Sequence, residues 1–173
     1  MWSMKIPLIT VGALIFVVAL IVIIGSLLPS HHIVARSALF HASPEKLFAL
    51  ISGSQSWRPD LLQSSETTDA AGRRFVEETT RHKEVITYEL LDIEPPISIK
   101  RRIASQNLPY SGTWSFTLQP SGQDTLVRIT EDGEVSNPIF RFVSRFILGH
   151  TSTLDNYLRS LGKATGQEVQ LQN

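Results

Sequence analysis

The clearest secondary-structure pattern in the chain is Gly-Thr-Trp-Ser-Phe-Thr-Leu-Gln, residues 112–119. Trp114, Phe116 and Leu118 alternate there with small polar residues, and successive side chains of a β-strand point to opposite faces. The pattern therefore predicts a strand with one apolar face and one polar face. Such strands are typical of an antiparallel sheet that covers a core on one side.

Strand-like segments flank this one on both sides. We predict further strands at 33–41, 61–68, 73–80, 84–93, 97–105 and 125–135. Short turn sequences such as Pro120-Ser121-Gly122 separate the six strands from residue 61 onward. Parallel strands need connections of a dozen or more residues, so the segments indicate an antiparallel meander.

Helices are predicted on either side of the meander. Ser43-Pro44-Glu45 supplies an N-cap, a proline suited to the first helical position and an acidic residue in the first turn. Asn137-Pro138 gives the same start signal, and apolar residues at helical spacing follow as far as Leu161. We therefore predict a short helix after the first strand and one long C-terminal helix that covers the sheet.

A long apolar segment precedes the first predicted strand. Sixteen of the 23 residues from Ile6 to Leu28 are Ile, Leu, Val or Phe, and none is charged. As a helix the segment would be about 35 Å long, and its transfer into a bilayer is favourable by about 5–9 kcal/mol. The alternatives are a cleaved signal peptide and a buried core helix. The run is longer than a signal peptide's apolar region and lacks a small-residue cleavage site, so we favour a retained membrane anchor.

The charges that flank this segment favour one orientation. Lys5 and the N-terminal amino group lie on one side, whereas Arg36 and Lys46, partly offset by Glu45, lie on the other. The positive-inside rule then predicts a single-pass protein with its N-terminus in the cytoplasm and its body on the non-cytoplasmic side. The predicted organisation is an anchor at 1–28, a linker at 29–32, one folded domain at 33–162 and a flexible tail at 163–173.

Composition excludes several classes of function. The chain has 173 residues with 16 basic and 16 acidic side chains, so no excess of positive charge favours nucleic acid as a partner. It has no Cys, which excludes disulfides, thiolate nucleophiles and Cys-ligated zinc. The five His are scattered without metal-ligand spacing, and no Gly-x-Ser-x-Gly elbow or phosphate-binding loop is present. We therefore assign no metal, cofactor or catalytic residue.

The ordered pieces of the body resemble a known family. Residues 42–51, Ala-Ser-Pro-Glu-Lys-Leu-Phe-Ala-Leu-Ile, the following Trp57-Arg58-Pro59, and the late hairpin at 112–118 and 125–131 are similar to the SRPBCC or START-like superfamily. This superfamily is also called polyketide cyclase/dehydrase-like. The resemblance covers about residues 33–162 and is that of a bacterial-type member with an N-terminal membrane helix.

The resemblance implies an α+β helix-grip fold. In that fold a curved antiparallel sheet of about six to seven strands wraps around a long C-terminal helix and encloses an apolar cavity. Family members bind lipids, sterols, polyketides or other hydrophobic molecules, and some catalyse cyclisation or dehydration. The superfamily has no shared catalytic motif, so the resemblance assigns no catalytic residue to this chain.

Strand alternation indicates which side chains face the interior. Arg101 shares a face with Ile99 and Ile103, and Glu131 shares one with Val127 and Ile129, so both are candidate polar anchors inside an apolar space. The alternative is a bulge or rim position that leaves both in water. The candidate ligand-binding residues are Trp57, Tyr88, Arg101, Tyr110, Trp114, Phe116, Glu131, Phe142 and Phe146.

Three functions remain open from the sequence. The favoured one is a membrane-anchored domain that binds a lipid or other hydrophobic small molecule between sheet and helix. The second is a protein-interaction module with a filled core. The third is a cyclase or dehydratase-type enzyme, which would need a cavity carboxylate with a perturbed pKa.

Overall fold

An eight-stranded antiparallel sheet forms the body of this α+β protein in the computed structural model, which describes residues 5–106, 108–149 and 151–173. The strands are β1 (His31–Phe40), β2 (Leu61–Thr68), β3 (Arg74–Thr80), β4 (Val85–Glu94), β5 (Ser98–Ile103), β6 (Tyr110–Ser121), β7 (Asp124–Val135) and β8 (Leu171–Gln172). The helices are α1 (Lys5–Leu27), α2 (Pro44–Ser52), α3 (Pro138–Val143) and α4 (Ser152–Ala164), and a π-helical segment at Ser144–Leu148 follows α3 directly.

The sheet is a meander closed by the first strand. Its order is β2-β3-β4-β5-β6-β7-β1-β8, so each strand from β2 to β7 pairs with the next, and β1 returns beside β7. The register pairs His31 with Glu134 at one end and Phe40 with Thr125 at the other. Irregularities in the β2–β3 and β4–β5 pairings add local bends to the sheet.

Local sequence explains where the helices begin. The Ser43 hydroxyl accepts a hydrogen bond from the amide of Lys46 and caps α2, with Pro44 in the first turn. The Asn137 side chain accepts from the amides of Ile139 and Phe140 and caps α3. Both predicted helix starts are confirmed.

The core lies between one face of the sheet and α4. Trp114, Phe116 and Leu118 on β6 are buried, as the alternation predicts. They belong to one cluster with Leu158 and Leu161 of α4. Full burial of a Leu or Phe side chain contributes about 1.5–3 kcal/mol, so this contact accounts for α4 lying on the sheet.

Several predicted boundaries differ from the structure. The predicted C-terminal helix is interrupted, because Gly149 has φ of 75° and separates the π-helical segment from α4. Residues 171–172, expected in a flexible tail, pair with β1 as an eighth strand, because β1 otherwise leaves that edge open. The strand β1 begins at His31, so only Leu28–Ser30 connect α1 to the sheet. Residues 1–4 of the predicted anchor lie outside the described residues.

Candidate functional site

A cavity of about 380 Å³ lies between the sheet and the junction of α3 with α4. Cavities that bind small molecules commonly measure about 300–1,000 Å³ and are mostly apolar. Its apolar wall consists of Ile86, Tyr88, Ile103, Trp114, Val135 and Phe140. Its polar wall includes His32, Arg58, Asp60, Glu78, Glu84, Tyr110, Glu131, Glu134 and Ser144. The cavity thus combines an apolar surface with a polar wall in which acidic side chains outnumber basic ones.

A buried ion-pair cluster forms part of this site. The two oxygens of the Glu78 carboxylate accept from Arg101 Nη1 and Arg58 Nη1, each at 2.7 Å. Arg58 also donates to the Asp60 carboxylate at 2.6 Å and to Gln55 Oε1 at 3.1 Å. Glu78 and Arg101 are almost completely buried, at 2% and 5% side-chain exposure, so each charge depends on the other for compensation.

The electrostatics of the cluster favour its charged form. Burial alone would raise the pKa of Glu78, but the guanidinium groups of Arg101 and Arg58 outweigh it and lower that pKa. Arg101 also lies over the Tyr88 ring, with 4.2 Å between its guanidinium carbon and the ring centroid. The Nε of Arg101 is the buried side-chain polar atom for which the described residues offer no hydrogen-bond partner.

A second titratable group faces the same cavity. Glu131 is 21% exposed, and its Oε1 lies 3.3 Å from Nε2 of His32. Burial raises the pKa of Glu131 to about 7. The pKa of His32 is lowered by burial, and also by the neighbouring His31. Glu131 therefore exchanges a proton near neutral pH, as a general acid or base does.

A smaller cavity of about 260 Å³ lies between α2 and the sheet. Phe48 and Ile51 of α2 line one side, and Ile99, Arg101 and Phe116 line the other. Arg101 is therefore in the wall of this cavity, whereas its partner Glu78 lines the larger one.

The structure brings part of the predicted residue set together. Tyr88, Tyr110, Trp114 and Glu131 line the larger cavity, and Arg101 and Phe116 line the smaller one. Strand alternation left an inward and a solvent-exposed position open for Arg101 and Glu131. The structure shows the inward one, with Arg101 buried and Glu131 in the wall of the larger cavity.

Three predicted residues lie elsewhere. Trp57 packs edge-on against Tyr157 and donates its indole N–H to the carbonyl of Leu50, so it belongs to the core. Phe142 and Phe146 contact each other with ring centroids 4.9 Å apart. Neither lines the two cavities described above, and Phe146 is 59% exposed.

Sequence reasoning missed the centre of the ion-pair cluster. Glu78 shares a strand face with Val76, so alternation was a usable signal for an inward carboxylate. Its pairing with Arg101 had no such signal, because β3 and β5 are separated by β4 in the sheet. Arg58 was named only as part of the family resemblance, and only the fold shows that it reaches Glu78.

Known proteins resemble this chain in fold more than in sequence. No curated protein matches the sequence significantly. The fold is similar to a conserved protein from Geobacillus kaustophilus, with TM-score 0.61, 14% identity, and coverage of 82% of this chain and 100% of that chain. A START superfamily protein from Mycobacterium smegmatis gives TM-score 0.60, 15% identity, and coverage of 78% and 97%.

A plant protein has the same fold. Truncated norcoclaurine synthase from Thalictrum flavum gives TM-score 0.58 and 12% identity, with 78% of this chain and 92% of that chain covered. Identities this low establish a START-like helix-grip fold and nothing more. The family profile described as "polyketide cyclase / dehydrase and lipid transport" matches residues 31–161. Since this match spans most of the chain, the protein belongs to the polyketide cyclase/dehydrase and lipid transport family.

Proposed function

We propose that this protein is a membrane-anchored domain that binds a lipid or other hydrophobic small molecule in its larger cavity. The observation that carries the proposal is the cavity of about 380 Å³ with an apolar wall that includes Tyr88, Trp114 and Phe140. A protein-interaction module would instead need a filled core. Family membership supports a hydrophobic ligand, because the family profile includes lipid transport.

The charges around the cavity disfavour a ligand with an anionic head group. Arg58 and Arg101 are balanced by Glu78 and Asp60 within the cluster itself, and Glu84 and Glu134 add further carboxylates to the wall. An anionic head group would have to compete with these short ion pairs, whereas a hydroxyl or carbonyl group needs only a hydrogen bond. Glu131, whose pKa is raised to about 7, offers such a bond as donor or acceptor.

The anchor in this proposal is α1. Residues Ile9–Leu27 have a mean hydropathy of 2.8 and are 6% buried, so the rest of the protein leaves most of the helix uncovered. Nineteen helical residues extend about 28 Å, close to the roughly 30 Å of bilayer hydrocarbon. A core helix would be mostly buried, which leaves a signal sequence as the competing interpretation. We place the body on the non-cytoplasmic side, from the flanking charges.

The test is to fill the cavity without disturbing the fold. Ile86 lines the larger cavity, and its neighbour Val85 on β4 points away and is 47% exposed. We expect the full chain, purified in mild detergent, to carry a hydrophobic compound detectable by native mass spectrometry and solvent extraction. Ile86→Trp should lose it, and the matched control Val85→Trp should retain it. Equal retention by both variants, or no compound in the unmodified chain, would contradict the proposal.

A second candidate function is acid–base catalysis on the bound molecule. The observation that favours it is the raised pKa of Glu131, about 7, beside His32 at a cavity wall. Glu131→Gln should then bind the extracted compound normally and fail to convert it. Conversion would be followed by mass spectrometry over time, with Glu77→Gln, an exposed position that lines neither cavity, as control. An unchanged compound in every variant would leave binding as the function.

A further inference from the structure

The α3 helix and the π-helical segment after it, residues 138–148, expose large apolar side chains. Ile139 and Phe140 are 42% and 47% exposed, and Phe146 and Ile147 are 59% and 68% exposed. A contiguous apolar group of this kind on a protein surface marks a contact with another molecule or with a membrane. We call residues 138–148 the apolar segment.

The apolar segment packs against the proposed anchor. Most described side chains of α1 are exposed, but Ile21, Val22 and Ile24 are half-buried and Gly25 is buried. A β-carbon at Gly25 would overlap the backbone carbonyl of Pro138, so α1 and α3 approach each other closely. Arg141 Nη1 also donates to the carbonyl of Leu28 at 3.3 Å, which fixes the end of α1 to α3.

This contact sets the depth of the apolar segment relative to the bilayer. The membrane span extends to Leu27, and Ile21 lies about 9 Å further into it along the helix. If α1 crosses the membrane, a helix in contact with Ile21–Gly25 must itself lie at the level of the lipid interface. The exposed side chains of Ile139 and Phe140 then meet acyl chains instead of water.

The charges of the apolar segment fit a membrane surface. Residues 136–150 contain Arg141 and Arg145 and no acidic residue. Arg145 is exposed, and a guanidinium at that position can donate to the phosphate groups of lipid heads. Apolar side chains next to basic ones are the composition of interfacial helices, which embed about 5–10 Å deep.

The same segment forms one wall of the larger cavity. Phe140 and Ser144 line it, and so does Gly149 at the break before α4. We propose that the apolar segment is a second membrane element, embedded in the lipid interface beside α1, which opens the cavity toward the bilayer. Its occupant is the lipid of the membrane that holds α1. The inference rests on the proposed anchoring by α1.

Depth measurements on single labels test this directly. The chain has no Cys, so one introduced Cys can be labelled without background. The positions are Phe146 and Ile147 in the apolar segment, Val17 in the middle of α1, and Ile97. Ile97 is 50% exposed at the opposite end of the sheet, which makes it the matched control. The full chain is reconstituted in vesicles of phosphatidylcholine and phosphatidylglycerol that carry spin-labelled lipids.

We expect a polarity-sensitive fluorophore at Val17 to be quenched by spin labels deep in the bilayer. A fluorophore at Phe146 or Ile147 should be quenched by shallow spin labels, and its emission should be blue-shifted. The label at Ile97 should stay unquenched with water-like emission. Water-like emission at Phe146 and Ile147 with a deep Val17 would overturn the inference and leave the anchor intact. A water-exposed Val17 would overturn both. Neither result depends on whether the cavity holds a ligand.

Discussion

Glu78 is the residue on which the interior of the sheet depends most. Its carboxylate accepts from two guanidinium groups at 2.7 Å, and the three side chains are all buried. A buried cation without its partner is far less stable than the same cation in water. Each charge of the cluster therefore depends on its partners for compensation, whether or not a ligand touches it.

Replacing Glu78 by Gln tests this dependence. The amide keeps the shape but removes the negative charge, so Arg101 loses its carboxylate partner and Arg58 keeps only Asp60. We expect a loss of about 3–5 kcal/mol in the free energy of unfolding. Glu77→Gln, on the exposed side of β3, should change it by less than about 0.5 kcal/mol. Urea unfolding in detergent, followed by Trp fluorescence, gives both values; equal effects would show that the cluster is dispensable.

Glu131 makes stability depend on pH in a specified direction. Its pKa is about 7 in the fold against an ordinary value of 4.5, so the folded state binds the proton more tightly than the unfolded chain. Protonation of Glu131 therefore stabilises the folded state. This stabilisation is complete below pH 4.5 and is lost as the pH rises through about 7. Above that pH, Glu131→Gln should exceed the unmodified protein in stability by about 1–3 kcal/mol.

The measurement is denaturant unfolding at a series of pH values. Below pH 4.5 the unmodified protein and Glu131→Gln should be equally stable, because Glu131 is then protonated in both states. Glu134→Gln, an exposed change on the same strand, serves as control. A constant difference between Glu131→Gln and the unmodified protein at every pH would contradict the role assigned to this proton.

At the scale of elements, sequence predicts what is encoded locally. Alternation in β6 and the caps of α2 and α3 depend on neighbours along the chain, and all were predicted correctly. The break at Gly149 was missed, because apolar residues continue at helical spacing across it. The spacing of apolar residues shows which face of a helix is apolar, but it does not show what covers that face. For this reason Phe146 was assigned to the cavity wall, whereas the structure leaves it exposed.

The contact between α1 and α3 is a second property that the spacing of apolar residues does not reveal. Substitutions at two glycines of α1, one at the contact and one away from it, test this contact. Gly25 lies against Pro138, whereas a β-carbon at Gly12 would meet nothing within 4 Å. Gly25→Val should force α3 away from α1, so the amides of residues 139–143 should exchange hydrogen faster in nanodiscs. Gly12→Val in the same helix should leave that exchange unchanged. Equally slow exchange in both variants would show that the close approach is not required.

For the molecule as a whole, the short connection limits how far the body can move relative to α1. Leu28–Ser30 span at most about 10 Å, so the body cannot turn freely on that helix. The strand β1 leads away from α1 for about 30 Å, from His31 to Phe40. The larger cavity lies in the half of the sheet near His31, because its wall includes His32, Tyr110 and Val135. Under the proposed anchoring by α1, the mouth of this cavity would lie on the bilayer side.

This geometry predicts exchange with one membrane and little transfer between membranes. The test uses proteoliposomes that contain the full chain and an isotope-labelled form of the compound extracted from it. The labelled compound should exchange between the protein and the bilayer until the two are at equilibrium. Transfer to acceptor vesicles should not exceed the rate without protein. Inserting about 20 Gly and Ser residues after Ser30, together with Gly25→Val to separate α3 from α1, extends the tether by about 25 Å and should accelerate transfer, because the mouth can then turn to the acceptor. Equal, fast transfer by both proteins would mean that the cavity opens away from its own bilayer.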